Sequence, residues 1–209
     1  MTRPPASTLE RLRARAQALS VDSADPLLPR VAAYFDLLQR WNEKINLTSL
    51  GDTEEALDRL IMEPLIAARF LPRGGTLVDI GSGGGSPAIP LALALNCSGL
   101  TMVESRGRKA AFLREALRSL QLAGRVETDR AEALVELPQF RGAADVVSMR
   151  AVRMTTQLSR ALSPLLTSSG VLAMFSKHSE PIPEGFKPAG AHPLVPATQS
   201  FLHCFVVAR

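Results

Sequence analysis

Four glycines fall within five positions of the segment Leu77-Val-Asp-Ile-Gly-Ser-Gly-Gly-Gly-Ser-Pro87: Gly81, Gly83, Gly84 and Gly85. An apolar stretch leads into them and a helical pattern follows, so the segment reads as strand, turn and helix start. Glycine permits the positive φ such a turn needs and lets a ligand approach the backbone. The helix start adds unpaired N–H groups. Ser86 is placed to cap that helix, and Pro87 suits its first position. A dinucleotide fingerprint needs a third glycine where Ser86 stands. A phosphate-cradling loop needs Gly-Lys-Ser/Thr, which this segment lacks. What remains is G-x-G-x-G with Asp79 two residues ahead of it. A carboxylate there repels a pyrophosphate and suits a cation, and S-adenosylmethionine carries both an ammonium and a sulfonium. Glu104 closes the next apolar stretch, 23 positions after Gly81. That is close to the spacing of about 20 at which an acid holds ribose hydroxyls. The plainer reading is a turn with no ligand, and the entropic cost of so many glycines weighs against it.

These residues need elements to hold them. From Gly74 onward short apolar runs alternate with amphipathic stretches, the pattern of βαβ units and a parallel sheet. Strands are expected at Thr76–Ile80, Leu100–Glu104, Val126–Asp129, Asp145–Met149 and Val171–Phe175. The helices between them are expected near Pro87–Leu95, Arg108–Leu120, Ala131–Leu137 and Met154–Leu166. At the end, His192–Val195 and Ser200–Val207 flank a turn and predict an antiparallel hairpin. The first third reads as helical. Thr8 is placed to cap the first helix, and the second, about Arg30 to Trp41, carries Val31, Tyr34, Phe35 and Leu38 at helical spacing. The stretch from Asn42 to Gly51 should break that helix. A third should cover Thr53–Phe70, kinked or divided by Pro64. The expected architecture is α/β, a Rossmann-like sheet of seven strands with an antiparallel C-terminal hairpin. Residues 1–73 form a helical cap packed on a domain of residues 74–209.

Composition narrows the function classes. The chain has 209 residues, of which 46% are hydrophobic and 21% charged, an ordinary globular balance. Two cysteines, Cys97 and Cys204, exclude a disulfide scaffold and suit a reducing cytosol. The N-terminal MTRPPASTLERLRARAQ has no apolar run, so no signal peptide is expected. No stretch approaches the ~20 apolar residues of a membrane span. A cytoplasmic protein without membrane contact is therefore expected. The formal charge of +4 permits a polyanionic partner without demanding one. His203 and Cys204 would point to opposite faces of a strand, and His178 and His192 lack ligand spacing, so no metal site is expected. No Ser-His-Asp arrangement is readable. Trp41, at helical spacing from Tyr34 and Leu38, is expected to pack rather than stack on a base.

Two strings, Trp41-Asn-Glu-Lys-Ile-Asn-Leu-Thr48 and Asp79-Ile-Gly-Ser-Gly-Gly-Gly-Ser-Pro-Ala-Ile-Pro90, resemble the RsmG (GidB) methyltransferases over about Tyr34 to Lys177. That resemblance implies transfer of a methyl group from S-adenosylmethionine to N7 of one guanine in small-subunit (16S) ribosomal RNA. It also implies a set of cofactor residues. Gly81 matches the first cofactor glycine, and Glu104 the acid ending the second strand. Ala131 and Glu132 match a pair flanking the adenine. Arg150 matches an arginine after the fourth strand, at cofactor and substrate, and Lys177 a lysine after the fifth. With Asp79, Gly83 and Ser86 from the loop itself, these make up the expected site.

The chain departs from the family at four places. Leu60-Ile-Met-Glu-Pro64 replaces His-Ile-x-Asp-Ser, Ser86 replaces a Phe or Leu, Met149 a Ser, and His178 a Gly. Guanine N7 has a lone pair and no proton, so no catalytic dyad is expected; orientation would do the work. Arg106, Arg108, Lys109, Arg150, Arg153 and Lys177 all follow strand ends and are candidates to hold RNA phosphates. The rival readings are a methyltransferase of the same fold with another acceptor and a non-catalytic RNA-binding protein with a degenerate cofactor site. An NAD-dependent oxidoreductase is disfavoured by the missing glycine.

Overall fold

Leu77 faces one side of its strand while Val78 and Ile80 face the other, and each side meets its own buried apolar cluster. The same alternation places Ala173 and Phe175 on one face and Leu172 and Met174 on the opposite one. A sheet buried on both faces is the physical reason these strands read as nearly continuous apolar runs. The computed structural model describes residues 6–134 and 137–208. Its strands are β1 (Thr76–Ile80), β2 (Gly99–Val103), β3 (Arg125–Glu127), β4 (Ala144–Arg150), β5 (Leu166–Ser176), β6 (Phe186–Pro193) and β7 (Phe201–Val207). They form one sheet in the order β3-β2-β1-β4-β5-β7-β6. β1 to β5 pair in parallel, and β7 runs antiparallel to both β5 and β6. The expected α/β sheet of seven strands with an antiparallel end is therefore present. The strand order reverses between β1 and β4, which marks the carboxyl ends of those two strands as the place for a ligand.

Helices α1 (Thr8–Ala18), α2 (Leu27–Ile45), α3 (Glu54–Leu57) and α4 (Glu63–Ala67) precede the sheet. Helices α5 (Ala88–Leu95), α6 (Gly107–Ser119), α7 (Ala131–Leu134) and α8 (Thr156–Leu162) connect its strands. The buried side chains of α1, α2, α5 and α6 belong to one cluster with Leu77 and Phe175, so the N-terminal helices share the core of the sheet. Trp41 joins that cluster edge-on to Phe112, 5.7 Å between ring centres, the packing role expected of it.

Several boundaries differ from the sequence reading. Ser7, not Thr8, caps α1, in a reciprocal pair with Glu10, while the Thr8 hydroxyl donates to Asp36 at 2.6 Å. α2 runs on to Ile45 and ends at Asn46 in the left-handed region. β6 begins at Phe186, because Lys187 and Pro188 on this exposed edge give no apolar alternation to read. Leu194 and Val195 belong to the connection, buried but outside the strand. The helix expected over Ala131–Leu137 ends at Leu134, and residues 135 and 136 lie outside the described residues.

The third helix does not stop at Pro64 but is divided into segments there. It continues from α3 through a π-helical turn, Asp58–Met62, into α4 and a final 3-10 turn, Ala68–Phe70. Pro64 has no N–H for the carbonyl four residues back, Leu60. In the widened turn Glu63 N–H reaches Asp58 instead, which leaves the Arg59 carbonyl free as well. Both free carbonyls face the carboxyl edge of the sheet. Leu60 accepts from Ser86 Oγ at 2.8 Å, and Arg59 accepts from the Arg150 guanidinium.

Candidate functional site

The glycine turn is tied down from below. Gly81 and Ser82 N–H both donate to the Val103 carbonyl at the end of β2, at 2.9 and 3.0 Å. Gly81, Gly83 and Gly85 have φ of 69, 52 and 86°, where a side chain is strained. A Cβ on Gly81 would lie 2.5 Å from Val152 Cγ2, and one on Gly85 2.8 Å from Ile89 Cδ1. Gly81 thus requires glycine for space as well as for angle, and Gly85 chiefly for angle. The buried Tyr34 hydroxyl donates to the Gly84 carbonyl at 2.6 Å, so α2 fixes the top of the turn. Burial pushes that phenol well above its ordinary pKa. Ser86 does not cap α5, whose N-cap is Pro87 with no side-chain bond. Its hydroxyl goes instead to Leu60, joining the turn to the π-helical segment.

Two carboxylates serve the turn. Asp79 is 1% exposed beneath it. Its Oδ1 accepts from Ser148 Oγ at 2.5 Å, and its Oδ2 is buried with no partner among the described residues. Burial raises its pKa to about 6, opposed by the Ser148 and Ser82 hydrogen bonds and by the charge of Arg150. Glu104 accepts from Gly83 N–H at 2.9 Å and from Arg106 N–H at 2.8 Å. A carboxylate has about four acceptor positions, so each Glu104 oxygen retains one.

Three clefts meet here. The first, about 390 Å³, is lined by the turn from Gly81 to Gly84, by Ser86, Glu104 and Arg150, and by Tyr34, Leu47 and Thr48 from the N-terminal third. The second, about 200 Å³, runs over Asp129, Ala131 and Glu132 and shares Gly81 and Glu104 with the first. The third, about 260 Å³, lies over the ends of β4 and β5. It shares Arg150 and Ala151 with the first cleft and Val152 with the second. Ala151, at the junction, has φ 55°, a left-handed conformation uncommon for a side chain and often found at functional positions.

Asp79, Gly81, Gly83, Ser86, Glu104, Ala131, Glu132 and Arg150 are brought together around the first two clefts, with Asp79 underneath. Lys177 stands apart from them, exposed on the wall of the third. Arg150 is not a free surface cation. Its guanidinium pairs with Glu63 at 2.9 Å and lies 4.7 Å over the Phe175 ring. Burial lowers its pKa, against the raising charge of Glu63. Glu63 is 1% exposed, and its other oxygen accepts from Ser200 Oγ at 2.6 Å. Ser200 in turn shares a 2.8 Å hydrogen bond with Thr198. Sequence reasoning missed Glu63, Arg59 and Thr48 as parts of the site. Thr48 carried a signal in the Trp41–Thr48 string. Glu63 carried one too, as the acid standing at the Asp of the family's His-Ile-x-Asp-Ser, while Arg59 carried none. Among the described residues no cluster of three His, Cys, Asp or Glu stands ready for a metal.

An orphaned buried carboxylate under a glycine turn, with an acid at the neighbouring strand end, fits a ligand that is cationic at one end and carries a ribose. Placed at the reversal point of this sheet, the arrangement defines an S-adenosylmethionine-dependent methyltransferase. The fold agrees. An S-adenosylmethionine-dependent methyltransferase from Aquifex aeolicus superposes with a TM-score of 0.56 at 15% identity, over 75% of this chain and 95% of that one. A mutant of MtNAS in complex with S-adenosylmethionine gives 0.55 at 16% identity, over 96% and 73%.

The chain belongs to the GidB family, rRNA small subunit methyltransferase G, whose model matches residues 28–182. Relatives named ribosomal RNA small subunit methyltransferase G include one from Xanthomonas campestris pv. campestris. It is 40% identical over 207 residues, covering 93% of this chain and 91% of the relative. Another, from Stenotrophomonas maltophilia, is 40% identical over 171 residues, covering 80% and 76%.

Proposed function

We propose that this chain transfers the methyl group of S-adenosylmethionine to N7 of a guanine in small-subunit ribosomal RNA, in the cytoplasm. The observation that carries the reading is the pair of clefts that share Gly81 and Glu104 and have the Asp79 carboxylate buried beneath them. Asp79 supplies negative charge under the end that takes the ammonium. Gly81, Gly83 and Ser86 line that end, and Glu104 accepts from ribose hydroxyls. Ala131 and Glu132 flank the adenine. Bound S-adenosylmethionine supplies an electrophilic methyl group on a sulfonium.

Guanine N7 needs no base. Its lone pair forms the new N–C bond as the C–S bond breaks with its electrons passing to sulfur, and no proton moves. The residues of the chain orient and desolvate. Holding reactants in line is worth several orders of magnitude in rate. Arg150, immobilised by Glu63 and the Arg59 carbonyl, is a rigid wall between the first and third clefts. Arg106 and Lys109 at the first cleft, Arg153 at the second and Lys177 at the third are placed to meet the phosphates around the target nucleotide. Residues 1–73 act as a cap that closes the first cleft through Tyr34, Leu47 and Thr48, while residues 74–209 carry the transfer machinery.

The test is transfer of labelled methyl from S-adenosylmethionine to undermethylated small ribosomal subunits, with naked rRNA and bulk protein in parallel. Chemical cleavage at N7-methylguanine then maps the product. Label at one guanine is the expected result. Label in protein, or cofactor binding with no labelled RNA, would assign a different acceptor.

A further inference from the structure

Resting on that reading, we infer that the third cleft, over the ends of β4 and β5, takes the acceptor base, and that Glu180 and Arg59 identify it as guanine. The first two clefts already share the Gly81–Glu104 ridge, so a donor lying across that ridge occupies both. The acceptor must come from the remaining side, and the third cleft meets both of the others at Arg150, Ala151 and Val152. Met149, Met174 and Phe175, all buried, form its apolar floor, and the Arg150 guanidinium lies over the Phe175 ring.

Two polar groups in this cleft have no assigned work. Arg59 Nε is buried without a hydrogen-bond partner among the described residues. The Arg59 backbone is fixed, because its carbonyl accepts from Arg150, and its charge is close enough to be felt there. Glu180 is half-buried in the same cleft and makes no ion pair among the described residues. Guanine presents, in order along its edge, N7, the O6 acceptor, the N1–H donor and the N2 amino donor. The pairing we infer sets N7 at the junction, O6 on Arg59, and N1–H with the amino group on Glu180. A carboxylate accepts both donors, and a guanidinium donates to O6 while leaving N7 free. Adenine also has an N7 lone pair, but its amino group would face Arg59 and its bare N1 would face Glu180. Donor would meet donor and acceptor would meet acceptor, and unpaired buried polar groups reject the wrong base.

The experiment uses small subunits reconstituted with rRNA that carries guanosine or inosine at the mapped target. Inosine lacks only the N2 amino group. For the wild-type chain, inosine should lower kcat/KM by about 10-fold or more, the scale of a lost base-edge contact. Glu180→Ala should lower kcat/KM on guanosine by about 10- to 100-fold, keep the affinity for S-adenosylhomocysteine, and erase most of the inosine penalty. Glu180→Gln, isosteric and neutral, should behave likewise if truncation unsettles the loop. An inosine penalty of wild-type size in both variants overturns the inference while leaving the methyl-transfer reading intact. A wild-type chain that labels no guanine at all overturns both.

Discussion

Asp79 sits beneath the glycine turn with Oδ1 on Ser148 and Oδ2 without a partner among the described residues. Burial, opposed by the Ser148 and Ser82 hydrogen bonds and by Arg150, leaves its pKa at about 6. The folded protein therefore binds this proton more tightly than the unfolded chain, whose Asp titrates near 3.9. The resulting stability is fully present below about 4 and is lost as pH rises through about 6. Wild type should gain on the order of 2–3 kcal/mol over Asp79→Asn as pH falls across that window, measured by urea unfolding at several pH values. Cofactor affinity should move the other way. A neutral carboxyl cannot attract the ammonium, so wild-type binding should weaken below pH 6 while that of Asp79→Asn stays weak and flat. A pH-independent affinity would remove Asp79 from the site. Gly81→Ala would set a Cβ 2.5 Å from Val152 at φ 69°. We expect a loss of about 1–3 kcal/mol in stability and of S-adenosylmethionine binding, checked by calorimetry on the folded variant. Asp79, the glycines and Glu104 were all legible in the sequence, because a strand-turn-helix with flanking acids is a local pattern. What Asp79 does with its two oxygens was not, since Ser148 lies 69 residues away.

The segment Glu54–Phe70 is the element to which the structure adds most. Proline inside a helical pattern predicts a kink or a division, and here the chain widens into a π turn just ahead of Pro64 and resumes as α4. The two carbonyls left over hold Ser86 and Arg150, so the missing N–H of Pro64 becomes a pair of fastenings for the site. Ser86→Ala leaves the Leu60 carbonyl without its donor and should destabilise by about 1–3 kcal/mol, with looser cofactor binding, both measurable on one sample by thermal melts with and without S-adenosylhomocysteine. The ion pair that joins this element to β4 is more costly to break. Glu63→Gln leaves a buried guanidinium without its counter-charge, a loss of about 3–5 kcal/mol. Adding Arg150→Met should restore much of that stability but not activity, and a double-mutant cycle by denaturation measures the coupling. β1, β2, β4 and the second half of β5 were readable because both faces are buried and the runs are apolar. β6 was misplaced at its start because an edge strand bearing Lys187 and two prolines has no such run.

Across the whole molecule the basic side chains are distributed around the clefts rather than in one block. Arg106 and Lys109 stand on one side, Arg153 on a second and Lys177 on the third. If each meets a phosphate, subunit affinity should fall linearly with log salt, and replacing any one with Ala should reduce the slope by about one. An unchanged slope for Lys177→Ala would take that residue off the RNA path. Long-range connection also governs the site itself. Glu63 is completed by Ser200, 137 residues further along the chain, and β7 must slot between β5 and β6 before the sheet is closed. A chain still under synthesis, made only as far as β5, would have every residue of the glycine turn and Arg150, yet Glu63 would lack the hydroxyl that orients it. The clasp that holds Arg150 is thus completed by the last part of the chain to be made, when the Thr198–Ser200 turn reaches Glu63.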